Sequence, residues 1–278
     1  MGIIDNLIGY STRPVPLRVL AMRKLLQRFP VGSYTARLNA NAVERPWYGW
    51  CLYNAAAEAK ALGYKAVTAV EMGVAGGNGL VCLCKHREEI QKSLGIEIVL
   101  TGFDTGAGLP TTQDARDLLY CWPSGSFEMD KPALERRIAG RAELVIGNVE
   151  QTVKTWNPRP DAPLGVAIFD LDLYSSTAAA LPLLTRENVL PRVWCYLDDI
   201  SGYPDNAYTD GIGVRAAVVD FNAKPERAIM QDHIMQAHTF KGQIPEGWHQ
   251  QIYVYHRLGH PNYNTCLSQE KHQLSLTA

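Results

Sequence analysis

Two pairs of aspartates stand where long apolar runs of the sequence end. Asp170 and Asp172 lie in the string FDLDLY, and Asp198 and Asp199 lie in the string YLDDI. If the two runs are neighbouring parallel strands, the four carboxylates converge on one small volume and repel one another unless they are neutralised. A hard cation such as Mg²⁺ or Ca²⁺, bound through oxygen, is one solution. Pairing with Arg or Lys and helix capping by a single aspartate are the alternatives.

A glycine-rich turn follows another apolar run that has an acid near its end. The string AVEMGVAGGNG contains Gly73, Gly76 and Gly77, which allow a tight turn and the close approach of a ligand to the backbone. Such a turn alone fits a dinucleotide site, another ligand site or plain geometry. Glu71, two residues before Gly73, would repel a pyrophosphate and attract a sulfonium or ammonium cation. S-adenosylmethionine carries both cations and no phosphate, so the segment favours this molecule as the ligand.

Two later strings offer contacts to a nucleoside. Asp104 ends the run IEIVLTGFD, and a carboxylate at the tip of a strand can accept hydrogen bonds from both hydroxyls of a ribose. A solvated loop aspartate is the alternative. Asn148 and Val149 lie in the string GNVEQT, which closes the next apolar run. We expect these two residues to flank an adenine ring.

Apolar runs and amphipathic helical segments alternate from Trp50 onward. Strands that are apolar throughout and alternate with helices predict a parallel sheet that is covered on both faces. Such a sheet binds ligands at the carboxyl ends of its strands, where the acids and glycines stand. We therefore predict one α/β domain over residues 51–278. Residues 1–50 form an N-terminal segment that either caps the site or packs against the domain.

The composition favours a globular protein whose partner is a small molecule. Hydrophobic residues make up 46%, charged residues make up 20%, and the formal net charge is −1. Nucleic acids and anionic membranes require a basic excess, so neither is predicted as a partner. Because no signal-peptide pattern or apolar run of ~20 residues occurs, and the cysteines lack zinc-site spacing, we expect a cytoplasmic protein. A homo-oligomer remains open.

Six strings together resemble the macrocin O-methyltransferase family. They are AVEMGVAGGNG, GFDTGAGLP, GNVEQT, FDLDLYSST, YLDDISGY and GIGVRAAVVDF, and they span roughly residues 50–225. Members of this family are class I, metal-dependent enzymes that methylate sugar hydroxyls of natural products. The string DLYSST followed by a strand that ends in two aspartates is the most distinctive part. The glycine turn is shared with many methyltransferases.

The resemblance implies a fold and a division of roles. The fold is Rossmann-like, with a mostly parallel seven-stranded sheet, helices on both faces and an antiparallel last strand. Glu71 and the turn from Gly73 would contact the methionine end of S-adenosylmethionine, and Asp104 would contact its ribose. Asp172 would be the general base. The ligands of Mg²⁺, or of another hard divalent cation, would be Asp170, Asp198 and Asp199, of which Asp170 is also expected to contact the cofactor.

The expected reaction is methyl transfer to a hydroxyl of a small molecule, with a sugar of a natural product as the acceptor that the resemblance suggests. On an extended strand Asp170 and Asp172 would share a face about 6–7 Å apart, which favours one ligand and one base over two ligands of one ion. The same DLD string also fits the DxD of a metal-dependent glycosyltransferase. A dinucleotide-dependent oxidoreductase and a non-catalytic binding protein that keeps the cofactor fold are further alternatives.

Overall fold

The structure, a computed structural model, describes residues 15–202, 206–224, 229–231 and 246–268. Within these residues seven strands form one sheet. The strands are β1 (Ala66–Met72), β2 (Glu97–Asp104), β3 (Glu143–Ile146), β4 (Leu164–Phe169), β5 (Val189–Leu197), β6 (Ile229–Gln231) and β7 (Ile252–His256).

The sheet has the order β3-β2-β1-β4-β5-β7-β6. Strands β1 to β5 pair in parallel, whereas β7 pairs antiparallel with both β5 and β6. This arrangement confirms the predicted fold, including the antiparallel strand that comes last in the chain. Because β4 lies between β1 and β5, the carboxyl ends of these three strands are neighbours.

Helices cover both faces of the sheet. In chain order they are α1 (Leu17–Arg28), α2 (Tyr34–Asn39), α3 (Pro46–Ala61), α4 (Asn78–Leu94), α5 (Lys131–Ile138), α6 (Val149–Thr155), α7 (Tyr174–Ala180) and α8 (Gly213–Asn222). Side chains of β1 alternate between two cores: Val67 and Ala69 pack with α2 to α5, and Val70 and Met72 pack with α6 to α8. Since both faces are buried, the strands can be apolar throughout.

The N-terminal segment is part of the first core. Helix α3 begins at Pro46, because proline suits the first turn of a helix, where its missing N–H is not needed. Residue 50 therefore lies inside α3, and the expected division between residues 50 and 51 falls within one helix. Tyr34 and Leu38 of α2 are buried in the same core.

A buried histidine ties this segment to α4. The Nε2 of His86 lies 2.9 Å from the carbonyl oxygen of Glu44, which can only accept, so Nε2 carries the proton. Burial lowers the pKa of His86 to about 4, so the ring is neutral and its Nδ1 accepts from the Tyr34 hydroxyl at 2.9 Å. The network leaves no free ring nitrogen for catalysis.

A long loop between β2 and α5 is held in place by one buried aspartate. Asp117 accepts hydrogen bonds from the backbone N–H of Ser175 at 2.7 Å, from the Ser175 hydroxyl at 2.8 Å and from the Thr112 hydroxyl at 2.5 Å. The Asp117 side chain has no exposed surface. Part of the distinctive DLYSST string thus serves to anchor a loop.

In the part of the chain that the structure describes, no helix combines the length and the apolar character needed to cross a membrane.

We expect Asp117→Ala to lower the free energy of unfolding by about 2–3 kcal/mol, because it leaves the buried donors of Ser175 and Thr112 without their acceptor. Chemical denaturation would measure the loss. Asp161→Ala is the matched control, since Asp161 is bound to Arg159 on the exposed surface and should matter much less. Equal losses in the two variants would show that Asp117 does not hold the loop.

Candidate active site

One cavity of about 320 Å³ opens at the carboxyl ends of β1, β2, β4 and β5. Every site residue predicted from the sequence lines it. These are Glu71, Gly73, Gly76, Gly77, Asp104, Asn148, Val149, Asp170, Asp172, Asp198 and Asp199. Residues that lie up to 128 positions apart in the chain, from Glu71 to Asp199, thereby share one volume, as the predicted parallel sheet requires.

Gly73 is fixed by the packing of two strand ends. Its φ is +87°, and a Cβ atom placed on it would lie 1.6 Å from the backbone carbonyl oxygen of Asp170. Backbone atoms cannot move aside as a flexible side chain can. Glycine is therefore required here so that β1 and β4 can end side by side.

The other glycines of the turn differ in what surrounds them. A Cβ on Gly77 would meet the Leu134 side chain at 2.2 Å, and one on Gly79 would meet the Glu71 Oε1 at 1.8 Å. A Cβ on Gly76 would meet nothing within 4 Å. Gly76 is thus the position of the turn that leaves open space beside its backbone. Gly77 has a left-handed φ of +81°, which favours glycine, and Gly79 packs directly against the Glu71 side chain.

Glu71 is almost fully buried, with 1% of its surface exposed. Its Oε1 accepts a hydrogen bond from the Tyr48 hydroxyl at 2.8 Å, and its buried Oε2 has no hydrogen-bond partner. Burial raises the pKa of Glu71 to about 8, with Asp104 adding to the rise and Tyr48 and Arg45 opposing it. A cationic ligand would supply the partner that Oε2 lacks and would favour the ionised carboxylate.

Asp104 organises the glycine turn. Its Oδ2 accepts from the backbone N–H of Ala75 at 2.7 Å, and its Oδ1 accepts from the backbone N–H of Gly106 at 2.7 Å. Ala75 has a left-handed backbone with φ of +45°, which this hydrogen bond helps to hold. Each carboxylate oxygen keeps a second lone pair for a ligand in the cavity.

Asn148 and Val149 stand at the start of α6. The side chain of Asn148 caps this helix by accepting from the N–H of Glu150 at 2.8 Å, and the Val149 side chain is buried. The cap fixes where the helix begins and so fixes the edge of the cavity beyond β3. The adenine contact expected of this pair stays a prediction.

The two aspartates of the DLD string do not alternate along a strand. Strand β4 ends at Phe169, and Asp172 has a left-handed φ of +58°. The expectation that Asp170 and Asp172 share one face of an extended chain is therefore wrong. The chain turns after β4 because α7 begins at Tyr174, five residues after the strand ends at Phe169 and two residues after Asp172.

The acids nevertheless converge. One carboxylate oxygen from each of Asp170, Asp198 and Asp199 can be chosen so that the three lie within 4.8 Å of one another. Two oxygens at that distance can both contact an ion whose ligands lie at about 2.0–2.6 Å. The Oδ2 of Asp199 is buried and has no hydrogen-bond partner. The donor set consists of oxygens only, which fits a hard divalent cation.

Burial and mutual repulsion raise the pKa of three of the four clustered aspartates, namely Asp170, Asp172 and Asp199. For Asp170 burial acts together with the charges of Asp198, Asp199 and Glu71. For Asp199 burial acts together with Asp172 and Asp198, while the backbone N–H of Asp172 donates to its carboxylate and opposes the rise. The pKa of Asp172 rises to about 6 through burial and the charge of Asp198.

Asp198 is held from behind by two side chains. The Tyr196 hydroxyl donates to its Oδ1 at 2.7 Å, and the amide of Gln251 donates to its backbone carbonyl. The Tyr196 ring stacks on Trp47 with ring centroids 5.9 Å apart. This support comes from β5, α3 and the segment before β7. Trp47 and Gln251 lie far from Asp198 in the sequence, so the residues next to Asp198 do not predict their contacts.

Several lining residues were not predicted. Arg45 and the aromatic residues Trp122 and Phe127 line the cavity, and Tyr48 contacts Glu71 from behind. Trp47, Tyr48 and Trp50 are aromatic residues close to Arg45 in the sequence, and none of them lines the cavity. The sequence feature that could have drawn attention to Arg45 is its position directly before Pro46, where helix α3 begins.

Histidine is another residue type that commonly acts as a general base. His249, His256 and His260 are described by the structure, and none of them lines the cavity. His256 instead pairs with the Tyr263 hydroxyl at 2.8 Å. His233 and His238 lie outside the described residues.

Solved structures with a similar fold include three methyltransferases. CalS11, a calicheamicin methyltransferase, has 18% sequence identity and a TM-score of 0.51, over 90% of this chain and 88% of that chain. An O-methyltransferase from Bacillus cereus, solved with S-adenosylhomocysteine, has 12% identity and a TM-score of 0.45, over 84% and 96%. TomG from Streptomyces achromogenes, involved in tomaymycin synthesis and solved with S-adenosylmethionine, has 14% identity and a TM-score of 0.43, over 91% and 95%.

No protein-family model and no curated protein matches the sequence. The macrocin O-methyltransferase resemblance therefore stays a prediction. At these identities the likeness to CalS11 bears on the fold and not on the reaction. Together with the sheet order, it gives this chain the fold of the class I S-adenosylmethionine-dependent methyltransferases.

Proposed function

We propose that this protein is a metal-dependent O-methyltransferase that transfers the methyl group of S-adenosylmethionine to a hydroxyl of a small molecule, with a sugar of a natural product as the leading acceptor class. One observation carries the proposal. A single cavity is lined both by a glycine turn with a buried, partly unpaired Glu71 and by a cluster of four aspartates. The first set suits a cationic nucleoside, and the second suits a cation beside an alcohol.

The donor end of the cavity depends on Glu71 and Asp104. Glu71 Oε2 provides an acceptor for the ammonium group, and Asp104 provides lone pairs for the ribose hydroxyls. The space beside Gly76 lets the donor approach the backbone of the turn. S-adenosylmethionine, when bound, supplies an activated methyl group.

The acceptor end depends on the aspartate cluster. Asp170, Asp198 and Asp199 would hold the metal, and this fits their converging oxygens and the unpaired Oδ2 of Asp199. Mg²⁺ or another hard divalent cation, when bound, lowers the pKa of an alcohol and fixes the position of its oxygen. Tyr196 and Gln251 keep Asp198 aimed at the cluster.

Asp172 would act as the general base. In the overall reaction the acceptor loses its hydroxyl proton and gains a methyl group, and S-adenosylhomocysteine is the second product. With a pKa of about 6, Asp172 is largely ionised at neutral pH and can take that proton. Because Asp172 has a left-handed backbone and lies outside β4, its side chain is not tied to the strand alternation that would pair it with Asp170.

The alternatives differ in their ligands. A glycosyltransferase that uses Asp170 and Asp172 as a DxD is not favoured, because the fold is that of the methyltransferases. A binding protein would bind the donor and metal without turnover. We infer that residues before 51 close one side of the cavity, which is supported by Arg45 on its wall. With a net charge of −1, we propose neither a nucleic acid nor a membrane as the acceptor.

The donor is tested by calorimetry with S-adenosylhomocysteine, with NAD and a UDP-sugar in parallel. We expect S-adenosylhomocysteine alone to bind. Below pH about 8 the Glu71 carboxyl holds a proton in the empty site, and a bound ammonium group requires the carboxylate, so binding should release a proton. Affinity should then rise with pH between 6 and 8, approaching tenfold per unit.

Glu71→Gln should bind the ligand more weakly and should lose this proton release, as measured in buffers of different ionisation enthalpy. Glu44→Gln is the control, because the Glu44 carboxylate pairs with Lys85 on the surface outside the cavity. Binding of NAD in place of S-adenosylhomocysteine would overturn the proposed donor.

The metal is tested by thermal unfolding and by methyl transfer to a panel of hydroxyl acceptors. EDTA should abolish turnover and Mg²⁺ should restore it. Because the folded acids have raised pKa values, the folded chain binds more protons than the unfolded chain, and the empty site loses stability as pH rises above about 4. Asp199→Asn should therefore be more stable than the wild type in EDTA at pH 8.

In Mg²⁺ the wild type should instead be more stable than Asp199→Asn. At a metal concentration 100 times Kd, metal binding raises the free energy of unfolding of the wild type by about 2.7 kcal/mol, whereas the variant binds little metal and is stabilised little. Asp161→Asn, on the exposed surface, should keep the wild-type response to Mg²⁺. Full turnover in EDTA would rule out the metal.

The base is tested with Asp172→Asn. Asparagine tolerates the left-handed backbone at this position, so the variant should fold and should keep its affinity for Mg²⁺ and S-adenosylhomocysteine. The single-turnover rate should fall by ~10²–10⁴-fold. Asp170→Asn is the comparison and should lose metal affinity together with rate. If both variants lose metal binding equally, Asp172 is a ligand rather than a base.

A further inference from the structure

The charges that line the cavity are strongly unbalanced. Among the described lining residues there is a single cationic side chain, that of Arg45. The carboxylates are Glu71, Asp104, Asp170, Asp172, Asp198 and Asp199. An anionic group that enters this cavity is repelled by the ionised carboxylates, and among the described lining residues the guanidinium of Arg45 is the one cationic group that attracts it.

Arg45 lies at the Glu71 end of the cavity. Its charge interacts with Glu71 and with Asp170, and its guanidinium carbon lies 5.4 Å from the centre of the Tyr48 ring. Tyr48 is the residue that donates to Glu71 Oε1. Among the described residues, Arg45 makes no hydrogen bond or ion pair with a carboxylate, so its guanidinium donors are available to a ligand.

The backbone at Arg45 is unusual. Its φ is +42° and its ψ is +65°, a left-handed conformation that costs a residue with a side chain free energy, and the residue precedes Pro46. Non-glycine residues that persist in this region cluster at ligand sites. A glycine would satisfy this backbone without strain, but it would remove the one cation from the wall.

Resting on the proposed function, we infer that Arg45 binds the α-carboxylate of the methionine end of the donor. The donor's amino-acid end is a zwitterion, and the cavity offers Glu71 for the ammonium group and Arg45 for the carboxylate. Without Arg45 the carboxylate would meet no cationic side chain among the described lining residues. Arg45 is thus a donor-binding residue contributed by the N-terminal segment.

The position of Arg45 favours the donor over an anionic acceptor. Its acidic charge partners are Glu71, which is proposed to bind the donor's ammonium group, and Asp170, which is expected to contact the cofactor as well as the metal; Asp172 and Asp199 are not among them. The acceptor is expected beside Asp172. Arg45 therefore interacts with the carboxyl that is proposed to bind the donor and has no such interaction with the proposed base.

The test compares two ligands by calorimetry. S-adenosylhomocysteine carries both the ammonium group and the carboxylate, whereas S-adenosyl-3-thiopropylamine carries only the ammonium group. The wild type should bind the first about 10- to 100-fold more tightly, the range expected of a charge-assisted hydrogen-bonded pair. Arg45→Met should lose that preference by weakening S-adenosylhomocysteine alone.

Two further variants control for folding and charge. Arg45→Gly relieves the left-handed backbone, so it should be at least as stable as the wild type and should show the same loss of preference. Arg45→Lys should keep part of the preference. Equal weakening of both ligands, or unchanged affinity for S-adenosylhomocysteine with only a raised KM for an acceptor, would overturn the role of Arg45. If the wild type binds neither ligand, the proposed function itself is overturned.

Discussion

The close approach of two strand ends sets the geometry of the site. The Gly73 backbone and the Asp170 carbonyl touch, so that even one added methyl group could not be placed between them. Strands β1 and β4 continue their hydrogen bonding up to this contact, since the Asp170 N–H donates to the Met72 carbonyl at 2.9 Å. The contact joins the glycine turn and the aspartate cluster into one cavity. In the proposed function, a donor bound at the end of β1 would therefore lie beside an acceptor bound at the ends of β4 and β5.

The same arrangement concentrates negative charge in a partly buried space. Burial and repulsion raise the pKa of Glu71, Asp170, Asp172 and Asp199, so ionising these carboxyls at neutral pH costs the folded state free energy unless a cation binds beside them. Ligands that bring positive charge to the two ends of the cavity relieve this cost. Such a site couples ligand binding to stability, because the free energy lost in folding is recovered when cations bind.

Elements outside the parallel sheet complete the walls. Helix α3 brings Tyr48 against Glu71 and places Arg45 on the cavity wall, and Trp47 stacks on the tyrosine that holds Asp198. The long loop after β2 is tied down through Asp117 and carries Trp122 to the cavity. The N-terminal segment therefore acts as part of the site as well as part of the core.

The sequence by itself determined that apolar strands alternate with helices and that the acids lie at the carboxyl ends of those strands. Strands that are apolar throughout must be covered on both faces, which a parallel sheet with helices on each side achieves. It also identified Glu71, Asp104 and the four aspartates, since charged residues at the ends of otherwise apolar strands stand where such a sheet binds ligands. Only the tertiary structure decided that Asp172 leaves the strand, because a turn into α7 depends on packing rather than on alternation. Only the tertiary structure brought Arg45 to the cavity, because its acidic partners Glu71 and Asp170 lie 26 and 125 positions away in the chain. Contacts across such distances are fixed by how helices pack on the sheet, and no local pattern of residues encodes them.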